Sequence, residues 1–437
     1  SDSPARQERE LMTEPTSLSL RLAPWNELAA ALPSRIARSM TMSRLDDISF
    51  GQLTVVDQGV SQVFGRDGSG PHATVTIHHP DAWTAIALGG SLGAGESYMD
   101  GLWSTDDLVA TVRILLRTST RLSNLDGSGL GMVRGTLEGL YHRIRRNTKE
   151  GSRRNIADHY DLGNDFYRLW LDPSMMYSSA FWEREDMSLE EAQEARLDRI
   201  CDKLELRPSD HLLEIGTGWG AMAVHAAAHF GCRVTTTTIS QEQYDLARER
   251  IREAGLSDRV TVLLEDYRDL DGAYDKLVSI EMIEAVGAEF FEAYFSKIGS
   301  LLRPNGLALI QAITTPDDRF AESVGRMDFI KRHIFPGGQL PSLDAMSTAW
   351  RKQSDLRLLH FEDFGDDYAR TLHEWRERFH RCREDVEALG YSQRFRRMWD
   401  FYLASCEGAF AERHCGVAQL LLARPDARRA PLRHALS

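Results

Sequence analysis

Two groups of residues have the types and spacing to do chemistry. The first is the run Leu213-Glu214-Ile215-Gly216-Thr217-Gly218-Trp219-Gly220, which leads from a short apolar segment directly into a helical pattern. Its glycines let the backbone turn sharply from strand to helix, and they let a ligand approach without meeting a Cβ. The second is the carboxylate pair Glu281 and Glu284, which follows the strand-like run Lys276–Ile280. In an open parallel sheet, the carboxyl ends of the strands are where ligands bind, so a carboxylate there can serve as a base.

The glycine pattern narrows the ligand. G-x-G-x-x-G would favour a dinucleotide. Here an acid precedes the glycines and the third glycine comes one residue early, which fits S-adenosylmethionine (SAM) enzymes better than NAD enzymes. Most such enzymes end strand two with an acid for the ribose hydroxyls. This chain ends it Thr236-Thr237-Thr238-Ile239-Ser240, so Thr238 and Gln243 are the available donors and acceptors. Tyr267 follows strand three and can stack on adenine, with Arg268 beside it.

These residues need a scaffold, and the texture from about residue 195 supplies one. Apolar runs at His211–Ile215, Arg233–Ile239, Val260–Leu264, Lys276–Ile280 and Leu307–Ile313 alternate with helical patterns at Ala221–Phe230, Gln241–Ala254 and Glu289–Leu302. Strands alternating with helices mean βαβ units and a mostly parallel, Rossmann-like sheet. Gly255 sits where a helix ends in left-handed geometry. After about residue 340 the chain reads as mostly helical. Residues 1–16 read as a disordered tail. Residues 17–125 read as a small α+β accessory domain, with a helical pattern around Leu18–Met42, strands at Gly51–Asp57 and Ala73–His79, a small-residue stretch at Ala87–Leu102 and a helix over Asp106–Leu116. Residues 126–155 form a linker and helix carrying His142, Arg143, Arg145, Arg146, Lys149, Arg153 and Arg154. Residues 156–437 form the catalytic domain.

The net charge of −13 gives no bulk attraction to nucleic acid. Five cysteines without a CxxC pair argue against a disulfide framework or zinc site and read as small core residues. No apolar run approaches the ~18 residues that a spanning helix needs. His225 and His229 lie four apart on one helix face. Ala226 stands where a zinc protease has Glu, and no third ligand suggests itself, so the pair reads as a plain helix face and no metal is expected.

Several ordered motifs then resemble one family. They are His159-Tyr160-Asp161-Leu162-Gly163-Asn164-Asp165-Phe166-Tyr167, Tyr177-Ser178-Ser179-Ala180-Phe181-Trp182, Glu281-Met282-Ile283-Glu284-Ala285-Val286-Gly287, Ile334-Phe335-Pro336-Gly337-Gly338 and Phe364-Gly365-Asp366-Asp367-Tyr368. Together they resemble the cyclopropane fatty acid synthases and mycolic acid methyltransferases, over residues of about 150 to 425. The resemblance implies a class I SAM-dependent methyltransferase fold with helical insertions. It implies that SAM is held by Gly216, Gly218 and Trp219, by Tyr177 and Ser178, by Thr238, Ile239 and Gln243, and by Tyr267 with Arg268. It further implies a bicarbonate ion as general base, with ligands at Ser179, Glu284, Gln311, Ile313 (through its backbone) and Tyr368. Ser179 stands where Cys is usual and Gln311 where His is usual. Gln311 with the E-M-I-E-A-V-G form is similar to plant cyclopropane synthases and some actinobacterial acyl methyltransferases.

The expected reaction is methyl or methylene transfer to the cis double bond of an unsaturated phospholipid acyl chain. The SAM methyl is a strong electrophile, and alkene attack leaves a carbocation. Proton loss from the new methyl closes a cyclopropane. A prior hydride shift gives a methylene branch instead, which a partner reductase would convert to a methyl branch. Bicarbonate takes the proton in the first reading, with a protonated Glu284 orienting it and Tyr368 and Gln311 donating to it. Direct catalysis by Glu284 is the second reading, and Glu281 is expected to be solvated. Tyr177, Phe181, Trp182, Phe335 and Tyr368 are candidate cation-facing walls. The resemblance also suggests a homodimer, and the basic run suggests a cytoplasmic enzyme on the inner face of an anionic membrane. The competing readings are an inactive lipid-binding module and a methyltransferase of soluble small molecules.

Overall fold

The computed structural model describes residues 33–122 and 162–429. The expected tail, residues 18–32 of the helical pattern around Leu18–Met42, the linker with its basic run and the residues His159, Tyr160 and Asp161 lie outside them.

The amino-terminal unit contains α1 (Ser34–Leu45), β1 (Gln52–Asp57), β2 (Val60–Gly65), β3 (His72–Ile77), α2 (Asp81–Met99), β4 (Trp103–Thr105) and α3 (Leu108–Leu122). Its four strands are ordered β2-β1-β3-β4. Gln58 and Gly59 both take positive φ between strands paired at Asp57 and Val60, which is the two-residue turn whose twist suits a hairpin. Along β1 burial alternates, and Leu53 and Val55 face the core. The small-residue stretch Ala87–Leu102 is mostly the second half of α2, which breaks at Gly90 (φ 55°). Gly95 on this helix meets the rings of Phe329 and Phe401, and a Cβ there would lie 2.3 Å from Phe329. The missing side chain thus lets this unit dock closely on the rest of the molecule.

The second unit runs α4 (Asn164–Arg168), α5 (Leu189–Leu204), β5 (His211–Ile215), α6 (Ala221–Phe230), β6 (Arg233–Thr238), α7 (Gln241–Glu253), β7 (Val260–Leu264), β8 (Tyr274–Ile280), α8 (Phe291–Leu301), β9 (Leu302–Thr314), α9 (Asp317–Gly325), α10 (Phe329–His333), α11 (Leu343–Gln353), β10 (Arg357–Asp363), α12 (Gly365–Arg381), α13 (Arg383–Ala388), α14 (Gln393–Ala411) and β11 (Gly416–Ala423). The sheet order is β10-β11-β9-β8-β5-β6-β7. Only β11 runs against its neighbours β9 and β10. Strand order reverses between β5 and β8, so the crevice for a ligand opens at their carboxyl ends.

After residue 340 the chain is mostly helical, as expected, and strands β10 and β11 lie among those helices. Val417 to Leu422 are buried on both faces, so β11 lacks the alternation that would mark a strand. Helix α5 begins in a capping box: Ser188 accepts from the Glu191 amide while Glu191 accepts from the Ser188 amide. Trp170, Trp375 and Trp399 are fully buried at the centre of an aromatic cluster between the sheet and helices α12 and α14. Truncating any one of them would cost about 3–5 kcal/mol.

Candidate active site

The glycine turn and the two carboxylates meet at the switch point. Gly216 takes φ 101°, and the amides of Gly216 and Thr217 both donate to the Thr237 carbonyl of β6. A Cβ on Gly216 would touch the Met282 side chain, so the turn after β5 packs directly against the turn after β8. Ser279 Oγ donates to the Ile215 carbonyl and joins the same two strands (3.0 Å). Gly218 (φ 52°) has open space where a Cβ would stand, which is the vacancy a ligand-cradling turn needs.

The residues expected around SAM are distributed as follows. Trp219 is buried and donates through Nε1 to Asn164 Oδ1 (2.7 Å), with its ring 5.0 Å from that of Tyr167. Thr238 Oγ1 donates to Gln243 Oε1 (2.8 Å) at the end of β6, and Ile239 is half-buried beside them. Tyr267 lies inward, its ring edge-on to Tyr294 at 5.6 Å, and its hydroxyl is buried with no hydrogen-bond partner among the described residues. Burial pushes that phenol up to about 12. Arg268 is committed to Asp266, which accepts from its Nε (2.8 Å) and Nη2 (2.7 Å). The sequence reading missed Asp266, which is 2% exposed and caps the turn after β7. Tyr177 OH pairs with Tyr402 OH (2.7 Å), and the Ser178 carbonyl accepts from Gln193 of α5 (2.9 Å). Open space at Gly218, an orphaned buried hydroxyl at Tyr267 and a row of small polar groups after β6 fit SAM.

The carboxylates depart from expectation. Glu281 turns inward, with its backbone at φ 48°. Its Oε1 accepts from the Ser179 amide (2.9 Å) and from Gln311 Nε2 (2.8 Å), and its Oε2 accepts from Tyr368 OH (2.7 Å). Three donors expected to hold bicarbonate therefore hold the chain's own carboxylate. Ser179 takes part only through its backbone, because its hydroxyl donates to the Ala180 carbonyl. Glu284 is separate from this group. Its Oε1 accepts from the Ile313 amide (2.5 Å), and its buried Oε2 has no partner among the described residues. The donor set around Glu281 leaves no place for bicarbonate, so the residues present do not fit that ion. The expectation of a solvated Glu281 is corrected as well.

The electrostatics separate the two acids. Burial, then the neighbouring Glu281, raises Glu284 to about 8, so it is neutral at pH 7. Burial is the larger cause, ahead of like-charge repulsion from Glu281. Burial also raises Glu281, but Tyr368, Ser179, Gln311 and the Arg196 cation all oppose that rise. Arg196, on α5, was missed: it is 1% exposed, its Nη2 meets Met176 Sδ, and its Nε and Nη1 have no partner among the described residues. Burial lowers it to about 10, against the pull of Glu281 and other anions, so it is a charged guanidinium beside the site. Burial raises Glu214 to about 8, and it accepts from Thr236 Oγ1 (2.7 Å).

Of the five candidate walls, Tyr177, Phe335 and Tyr368 lie in one connected ring cluster with Trp375 and Tyr402. Phe181 and Trp182 instead carry the guanidinium groups of Arg199 (4.3 Å) and Arg370 (3.8 Å). Phe410, whose ring is 4.4 Å from Tyr368, also lines an open cleft with Phe364, Asp367 and Arg413. Away from the site, Glu194 of α5 approaches His225 and His229, with ligand atoms within 4.8 Å of one another, which supplies the third ligand that sequence spacing did not suggest. His225 is already bonded to Asp198 (2.8 Å), and Glu194 and His229 are exposed. The cysteines are free, and three of them are buried.

A seven-stranded sheet of this order, with a glycine turn at the switch point, is the fold of the SAM-dependent methyltransferases. Residues 147–420 match the family described as mycolic acid cyclopropane synthetase, and the chain belongs to that family. It is 39% identical to the tuberculostearic acid methyltransferase of Mycobacterium tuberculosis, over 80% of this chain and 82% of that protein. It is 37% identical to the cyclopropane-fatty-acyl-phospholipid synthase of Escherichia coli, over 82% of this chain and 89% of that protein. The solved structure of a mycolic acid cyclopropane synthase complexed with SAH and CTAB superposes with a TM-score of 0.58 at 31% identity, covering 62% of this chain and 98% of the other. Among the described residues, no helix is long and apolar enough to cross a membrane.

Proposed function

We propose that this enzyme alkylates the cis double bond of an unsaturated acyl chain carried on a membrane phospholipid, with Glu281 as the base. One observation carries the reading: Ser179, Gln311 and Tyr368, the donors expected to gather a bicarbonate ion, converge on the Glu281 carboxylate. The substrate class follows the relatives, one named for tuberculostearic acid and the other for a cyclopropane-fatty-acyl-phospholipid.

SAM, when bound, supplies an electrophilic methyl carbon to which the double-bond electrons add, leaving a cation on the acyl chain. Gly216, Gly218, Trp219, Thr238, Gln243 and Tyr267 would hold it. The faces of Tyr177, Phe335 and Tyr368 favour the positive charge. The packed tryptophan cluster behind them excludes water, which would otherwise trap the cation as an alcohol. Glu281 accepts the proton that leaves the transferred methyl carbon, and those C–H electrons form the new bond: a ring bond if the cation has not moved, a double bond if a 1,2-hydride shift has brought the cation next to that carbon. Glu284, neutral at pH 7, keeps a second negative charge out of the site.

A carboxylate anchored to the backbone is less mobile than a small ion held by the same donors. It gives the cation time for a 1,2-hydride shift, after which proton loss yields a methylene branch instead of a ring. We therefore place the methylene-branched product first, with a partner reductase required for a methyl branch, and cyclopropane closure second. Purified enzyme, methyl-labelled SAM and defined unsaturated phospholipid vesicles test this through proton NMR of the product lipids. Exocyclic vinylidene protons are expected, and upfield ring-methylene protons as the main signal would overturn the product assignment.

A further inference from the structure

Gln311, which donates to Glu281, is linked through a row of side chains to the β10 edge of the sheet. Register places Glu362 of β10 opposite Gln419 of β11, and Gln419 opposite Gln311 of β9. Directly paired residues share a face, so the three side chains form one lateral row. Both glutamines are 0% exposed. Lys203, from α5, reaches down at the end of the row with its side chain 2% exposed. Its Nζ donates to Glu362 Oε2 (2.5 Å) and to Gln419 Oε1 (2.7 Å). Gln419 Nε2 then donates to Gln311 Oε1 (3.0 Å), and Gln311 Nε2 donates to Glu281 Oε1 (2.8 Å). Arg199 also pairs with Glu362 and closes the outer end.

A glutamine amide has a donor end and an acceptor end and can turn over by rotation about its last bond. A row of two amides alone could point either way. An ammonium can only donate and a carboxylate can only accept, so a lysine at one end and a glutamate at the other permit a single direction. The three bonds from Lys203 through Gln419 and Gln311 are each donated in the direction of Glu281. We propose that Lys203 is a positioning residue for the reaction: through Gln419 it locks the Gln311 amide so that it donates to Glu281, and so holds that base ionised and aimed. The inference rests on the reading of Glu281 as the base. Burial draws the Lys203 ammonium down to about 8, and it still carries its charge at neutral pH, beside a Glu362 that its two cations hold near 2.

Without the lysine, Gln419 and then Gln311 are free to turn over. A Gln311 carbonyl facing Glu281 favours the protonated acid. Because Glu281 must be ionised to take a proton, activity falls as pH drops through its pKa, and a raised pKa moves that acid limb upward.

The test is the pH profile of kcat and kcat/KM for the full-length enzyme with SAM and unsaturated phospholipid vesicles. The variants are Lys203→Met, Gln419→Met, Lys203→Arg and Glu281→Gln, each first shown to be folded by calorimetric binding of SAM. Losing one oriented donor to a carboxylate should move the acid limb up by about one pH unit in Lys203→Met and in Gln419→Met. KM for SAM should stay at the wild-type value, and Lys203→Arg should return the limb towards its original position. A limb that stays put in both methionine variants overturns the positioning role, as does a loss confined to KM. Glu281→Gln separates the two ideas. If it retains an active enzyme with the same acid limb, the base itself is misassigned. If it abolishes turnover while the methionine variants leave the limb unmoved, only the role of Lys203 falls.

Discussion

Tyr368 OH, from α12, donates to Glu281 Oε2 at the end of β8 at 2.7 Å. The phenol is 6% exposed, and burial, then the Glu281 carboxylate, hold its own pKa well above the usual value. It is therefore a permanent donor to the carboxylate. Tyr368→Phe should lower kcat roughly tenfold, as expected for the loss of one hydrogen bond to a charged group. It should also raise the acid limb of the rate profile, because Glu281 loses a group that favours its charged form. A lower kcat with an unmoved limb would mean that the phenol acts only as a wall.

Glu284 makes a prediction of opposite sign. Its folded-state pKa, about 8, lies far above the ordinary carboxyl value. Between roughly pH 4.5 and 8 the folded chain binds more protons at this site than the unfolded chain does, so stability falls as pH rises through that window. Glu284→Gln mimics the neutral form. It should flatten the fall of Tm between pH 5 and 8 and cost less than tenfold in kcat at pH 7. A steeper fall in the variant, measured by calorimetry, would show that Glu284 is charged in the fold.

The glycine turn separates holding the cofactor from holding the fold. A Cβ at Gly218 meets no protein atom within 4 Å, whereas one at Gly220 would lie 3.2 Å from Ala247. Gly218→Val should raise KM for SAM at least tenfold and cost about 1–2 kcal/mol for its left-handed backbone. Gly220→Val should act mainly on Tm. Equal effects of the two on SAM binding would place the cofactor elsewhere.

Arg196 is a buried cation whose nearest influences are Glu281, Asp172, Tyr368 and Glu214. Arg196→Met removes that positive charge at similar volume. The acid limb should move upward without a change in the affinity for SAM, and an unmoved limb would show that Arg196 serves packing alone.

Much of the fold was legible in the sequence, because β5 to β9 and the helices between them carry the expected periodicity and helix-ending signals. Gly255 does end α7 with φ 69°. The amino-terminal turn at Gln58-Gly59 and strands β2 and β4 were not read, because β2 is exposed at all but its last positions and β4 has only three residues. Strand β11 was missed because burial on both faces erases alternation. The site was legible as a set of residues and not as an arrangement. E-M-I-E places two acids three apart, and spacing cannot say which one turns inward. That choice is made by the positive φ at Glu281, a backbone cost usually confined to places where the surroundings require it. Lys203, Gln419 and Arg196 carry no local motif. They matter only because strand register and α5 bring them to Glu281 from far along the chain.

The most direct measurement is turnover in buffer stripped of carbon dioxide, with and without added bicarbonate, for the wild-type enzyme and for Glu281→Gln. With Glu281 as the base, the wild-type rate is the same in both buffers, and Glu281→Gln is slower by a factor of about 10² or more while still binding SAM. A wild-type rate that collapses without bicarbonate and returns when it is added, together with a fully active Glu281→Gln, would contradict this chemistry.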